Sequence, residues 1–136
     1  LNRQDFQHLA LIRLEEVRVL LNNKQFSGAY YLSGYVVECA LKACIAKNTR
    51  EFDFPDKETV IDSYTHNLVK LVRVAKLDEE IQSRITNLNF SSQWLVIKKW
   101  SEISRYKIYS KQEADDIYLA ISDPNNGVLQ WLQQHW

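Results

Sequence analysis

Hydrophobic positions recur with helical spacing along most of the chain, and the densest run of them, Phe26 to Lys47, sets the frame for the rest. At about 100° per residue its apolar and small residues cover most of a helix circumference, leaving a more polar wedge of Ser27, Tyr31, Tyr35, Glu38 and Lys42. A helix that is apolar nearly all round belongs at the centre of a bundle. Ala29, Ser33, Gly34, Ala40, Ala43 and Ala46 carry so little side chain that neighbouring helices can approach its backbone closely.

The same period reads outward in both directions. From Asn2 to Leu21, Phe6, Leu9, Ala10, Val17, Leu20 and Leu21 make one stripe opposite His8, Glu15 and Arg18. Arg13 falls inside the stripe, either as a snorkelling side chain whose stem packs or as an inward partner for a carboxylate such as Glu38. The link Asn22 to Gln25 is short and polar, so the next helix should run back antiparallel. After Lys47 the period lapses, and Asn48 to Tyr64 reads as an ordered connection anchored by Phe52 and Phe54. Thr65 is the expected N-cap of a helix from His66 to Leu77. Asp78 is the expected cap of another through Ile81, Ile85 and Leu88, with Glu79 and Glu80 where the helix dipole favours negative charge. Phe90 to Tyr109 reads as a further helix through Val96, Ile97, Trp100 and Ile103, although Ser91 and Ser92 invite a break. Ser110 caps a helix through Ala114, Ile117, Tyr118 and Ile121. Asp123-Pro124 ends it and starts a last short helix with Leu129, Leu132 and Trp136 inward. No strand-like alternation appears, so the expected fold is all-α: an antiparallel up-down bundle of about five helices, forming one domain over residues 1–136.

Composition narrows the function only by exclusion. Seventeen lysines and arginines balance 17 aspartates and glutamates, so the overall charge gives no push toward nucleic acid or an anionic surface. The balance hides a local asymmetry. Lys98, Lys99, Arg105, Lys107 and Lys111 against Glu102 give +4 between Trp94 and Lys111, and acidic residues follow at once. No apolar run approaches the ~20 residues of a membrane span and nothing resembles a signal peptide, so a cytoplasmic protein with no membrane partner is expected. Cys39 and Cys44 read as core thiols. The three histidines are scattered singly, so neither a metal nor another cofactor is expected.

Three stretches together resemble a known family. They are Ala29-Tyr30-Tyr31-Leu32-Ser33-Gly34-Tyr35-Val36-Val37-Glu38-Cys39-Ala40-Leu41-Lys42-Ala43, then Thr65-His66-Asn67-Leu68-Val69-Lys70-Leu71, then Arg105-Tyr106. In this order they are similar to the HEPN domain (higher eukaryotes and prokaryotes nucleotide-binding), across nearly the whole chain. The resemblance implies an antiparallel helical bundle, commonly a homodimer. Its members divide between ribonucleases of toxin and defence systems and non-catalytic binders of nucleotide or RNA, some working beside a nucleotidyltransferase-type partner.

The ribonuclease members pair an arginine with a histidine four to six residues later, because cleavage needs a base for the 2′-hydroxyl and a cation for the developing phosphorane charge. Arg105 is followed by Tyr106, Lys107, Ile108, Tyr109, Ser110, Lys111 and Gln112, with no histidine at those spacings. An unperturbed phenol titrates near 10 and makes a poor substitute. No catalytic residue is therefore assigned. The expected ligand-binding set is Arg105, Tyr106, Glu38, Lys42, Tyr35 and Tyr31, in which tyrosine faces stack on a base and cations hold phosphate. Simpler readings stand beside it: Glu38 and Lys42 as an i,i+4 helix bridge, Arg105 paired with Glu102 on the same helix, and His66 as a capping or packing residue. The expected function is a non-catalytic nucleotide- or RNA-binding module. A ribonuclease toxin with a degenerate site and a helical dimerisation protein are the alternatives.

Overall fold

The computed structural model describes residues 1–49 and 53–136. Among them the chain is all-helical, with no strand, but it is cut more finely than its periodicity suggests. Eight α-helices and one 3-10 turn stand in place of about five helices: α1 (Arg3–Asn22), α2 (Phe26–Asn48), α3 (Lys57–Ser63), α4 (Leu68–Val74), α5 (Asp78–Arg84), α6 (Leu88–Lys98), the 3-10 turn Glu102–Tyr106, α7 (Lys111–Ser122) and α8 (Val128–Gln133).

α1 begins with a reciprocal cap in which the Asn2 side chain accepts from the Asp5 N–H and the Asp5 carboxylate accepts from the Asn2 N–H, satisfying two otherwise unpaired donors. Leu20, near the end of α1, lies against Gly28 at the start of α2. Phe6 lies beside Ile45 and Ala46 at the other end of α2. The two helices are thus antiparallel, as the short link requires. Arg13 pairs with Glu16 on its own helix at 2.8 Å rather than with Glu38, which bears out the snorkelling reading.

α2 is the axis. Ala29, Tyr30, Ser33, Val36, Val37, Ala40, Leu41 and Cys44 are all buried, and α1, α4, α7, α8 and the 3-10 turn pack around them. Cys44 is a free core thiol and Cys39 is a half-buried one. Gly34 is the closest approach. A Cβ there would stand 1.9 to 2.5 Å from ring atoms of Trp100, so only glycine lets the indole lie on the helix backbone. Trp100 also donates its Nε1–H to the Tyr31 carbonyl at 3.0 Å, and a single tryptophan thereby docks the segment after α6 onto α2.

Several expected boundaries move, each for a local reason. The connection from Asn48 to Tyr64 contains α3, capped by Asp56, whose side chain accepts from the Thr59 N–H. Phe54 is 98 % exposed and anchors nothing, while Phe52 lies outside the described residues. Asn67, rather than Thr65, caps α4, and the Thr65 hydroxyl accepts from the Asn67 N–H. Asp78 is the first residue of α5 instead of its cap. Leu88 is exposed, because Asn87 accepts from the N–H groups of Asn89 and Phe90 and starts α6 afresh. The helix expected through Tyr109 ends at Lys98, since Trp100 must leave the helix to reach Gly34. Asp123 folds an Asx turn onto Asn125 and Asn126, and α8 starts only at Val128. Trp131 is buried against Phe90.

Candidate functional site

Most of the polar wedge of α2 folds into a half-buried cluster around one buried carboxylate. Tyr31 and Tyr35, one turn apart, share a hydroxyl contact of 3.2 Å with their rings edge to face at 5.3 Å. One turn further, Glu38 is only 5 % exposed. A carboxylate that deep must have its charge compensated. Lys42 donates to one oxygen at 2.9 Å, and Nδ1 of His66 meets the other at 2.9 Å. Glu38 and Lys42 are thus more than a helix bridge, for their carboxylate also ties α2 to the entry of α4. The Thr65 and Asn67 turn holds the backbone on both sides of His66, and its ring stands edge to face with Tyr35 at 5.7 Å.

His66 opens onto a groove of about 510 Å³ between α4 and the end of α6, whose wall carries Lys70, Arg73, Lys98 and Lys99. Lys70 and Arg73 face it together because residues three apart share a helix side. Lys98 and Lys99 close α6, where the helix dipole favours cations. Lys70 also reaches Asp62 at 2.8 Å. Arg73, Lys98 and Lys99 form no ion pair among the described residues.

The segment bearing Arg105 is pinned at both ends and exposed between. Trp100 holds one end. At the other, the Tyr109 ring stacks on Tyr30 at 3.7 Å and its N–H donates to the Ser27 hydroxyl at 2.9 Å. Between them Arg105 is exposed, and Tyr106 is 78 % exposed. The Arg105 guanidinium lies over the Tyr106 ring at 5.0 Å and makes no ion pair with Glu102. Burial pushes the Tyr35 phenol above its ordinary range; the Tyr31 hydrogen bond and the Glu38 charge add to this, and Arg105 pulls it back. Tyr106 itself projects into solvent. Burial likewise raises Tyr30 to about 12, helped by the negative charge that Tyr109 and Glu113 bring near it.

A family model for the HEPN domain matches residues 5–133. The chain belongs to the HEPN family. Neither the curated proteins nor the solved structures give a significant match to it. Within this HEPN domain, the segment after Arg105 lacks the histidine that the ribonuclease members use, and Tyr109 is committed to packing. Among the described residues no cluster of His, Cys, Asp or Glu could hold a metal ion, and no helix is long and apolar enough to cross a membrane.

Of the expected residues, the fold brings Tyr31, Tyr35, Glu38 and Lys42 into one cluster and leaves Arg105 and Tyr106 together on the exposed 3-10 turn. Sequence reasoning set His66 aside as a cap or packing residue and did not enlist Lys70 and Arg73. A findable signal was present: a histidine followed by two cations at helical spacing just before an apolar face.

Proposed function

We propose that this HEPN domain is a non-catalytic binding module for a phosphate-bearing ligand, a nucleotide or RNA. The ligand lies along the face from the groove of Arg73, Lys98 and Lys99 to Arg105 and Tyr106. One observation supports the reading above all: a chain with no net charge gathers four cations around a single groove, and at least three of them have no carboxylate partner among the described residues. Unpaired cations on one face hold an anion, and a phosphate offers each of them a charge-assisted acceptor. Arg105 and the face of Tyr106 add a second phosphate contact and a surface for a base to stack on. Without the histidine after Arg105, the pair that ribonuclease members use for proton abstraction is incomplete.

Within the same proposal the chain acts as a homodimer beside a nucleotidyltransferase-type protein, as the family resemblance implies. Exposed Ile103 and Ile108, flanking Arg105 and Lys107, offer an apolar contact of the kind interfaces use. The test is anisotropy of a labelled oligoribonucleotide with recovery of the RNA afterwards. The reading expects saturable, salt-sensitive binding and intact RNA. Robust cleavage abolished by Arg105→Ala moves the protein to the ribonuclease class instead.

A further inference from the structure

The groove that collects cations also holds an imidazole able to accept a hydrogen bond from a sugar. Glu38 is a buried carboxylate with one oxygen given to Lys42. An ionised carboxylate only accepts hydrogen bonds, so the ring nitrogen 2.9 Å from its second oxygen, Nδ1 of His66, must carry a proton. In the neutral imidazole the other nitrogen is then a bare acceptor. Nε2 has no partner among the described residues, and the half-exposed ring lines the same groove as Lys70, Arg73, Lys98 and Lys99. The charged groups on those walls are all donors. A ligand that satisfies both kinds of group must offer phosphate oxygens and, beside them, a hydroxyl donor.

We propose that His66 is the residue by which the groove prefers ribose to deoxyribose, with Nε2 accepting the hydrogen bond of a 2′-hydroxyl while the cations hold the adjacent phosphate. Glu38 is the positioning residue, which fixes the tautomer from inside the core. The inference rests on the groove being a phosphate site, and it adds the choice of sugar. The 2′-hydroxyl is the group that distinguishes RNA from DNA at a given position, and the Glu38 contact sets Nε2 of His66 to read it.

The test compares three fluorescein-labelled single strands of one mixed sequence, as RNA, as DNA and as 2′-fluoro RNA, titrated with the full chain at about pH 8, above the ordinary histidine range. The 2′-fluoro strand keeps a ribose-like sugar without the donor. The wild type should bind RNA roughly tenfold more tightly than either other strand, the size expected for one hydrogen bond. His66→Ala, a change at a half-exposed ring, should remove that preference and leave DNA affinity within about twofold. Glu38→Gln can donate to Nδ1 and so release the tautomer; it should lose the preference while binding all three strands at least as well, because a negative charge has gone. A purely structural role for Glu38 predicts weaker binding of every strand. Equal binding of the three strands by the wild type overturns the inference and leaves the phosphate site intact, as does an equal loss across all strands in His66→Ala. Absence of binding to any strand overturns the phosphate site as well.

Discussion

The groove beside His66 and the segment around Arg105 both present cations, but the fold treats them differently. The groove is built where two helices meet, with the buried Glu38 and its partner His66 behind it, so four cations are gathered around one concave wall, Arg73, Lys98 and Lys99 with exposed side chains of their own. The Arg105 segment has no such support. It is a single 3-10 turn held by Trp100 at one side and Tyr109 at the other, with Ser104 buried against the bundle but Arg105 and Tyr106 in solvent. An exposed guanidinium on a short turn gains little from each contact and gives up side-chain freedom to make it. Cations gathered around one concave wall act together on one anion. The affinity should therefore reside in the groove, with Arg105 as an accessory.

The contrast can be broken most forcefully where the two regions join. Gly34→Ala drives a methyl into the Trp100 ring, which must leave α2 and take the Arg105 segment with it. We expect a loss of about 3 kcal/mol in chemical denaturation, at the upper end for an overpacked core; a change below about 1 kcal/mol would mean that the indole can shift freely. Glu38→Ala attacks the groove side from beneath. It leaves Lys42 and His66 without their partner but still able to reach water, so the expected cost is about 2 kcal/mol, less than for a fully buried pair. Arg105→Ala should weaken oligoribonucleotide binding by about 1 kcal/mol while the thermal midpoint stays within a degree or so. Equal binding by mutant and wild type removes Arg105 from the site.

A further effect comes from pH on the alkaline side, above the neutral range. Burial raises Tyr30 to about 12 and both Cys39 and Cys44 to about 11. Each is neutral when protonated, so its contribution is complete below the unfolded-state value, near 9 for the thiols and 10 for the phenol, and is lost as pH rises through the folded value. The thermal midpoint should therefore hold steady up to about pH 9 and fall progressively above it. A midpoint flat to pH 12 would show that the Tyr30 and Tyr109 stack tolerates a phenolate.

What could be read in advance depended on how far apart the interacting residues lie. α1, α2 and α7 follow from their period and from local caps such as Ser110, whose side chain accepts from the Glu113 N–H. The break after Lys98 was not legible, because it depends on a tryptophan reaching a glycine 66 positions earlier. The Glu38 to His66 contact spans 28 positions for the same reason. Periodicity places Glu38 on a polar wedge without saying that a second helix will close over it. Arg105 was found through the resemblance, whereas the groove needs the packing of α4 against the end of α6. Short polar punctuation such as Asn67 and Asn87 also divided long apolar stretches that the period alone runs together.

The central claim, that the groove rather than the Arg105 turn carries the affinity, meets its most direct test in a Lys98→Ala, Lys99→Ala double variant. Its binding to a labelled oligoribonucleotide is followed over a salt series and compared with Arg105→Ala. The account predicts a loss of about 2–3 kcal/mol for the double variant against about 1 for Arg105→Ala. It also predicts a salt slope reduced by roughly 1 to 1.5 as two single-strand phosphate contacts disappear. An unchanged slope with full affinity in the double variant, or a larger loss from Arg105→Ala, would contradict it.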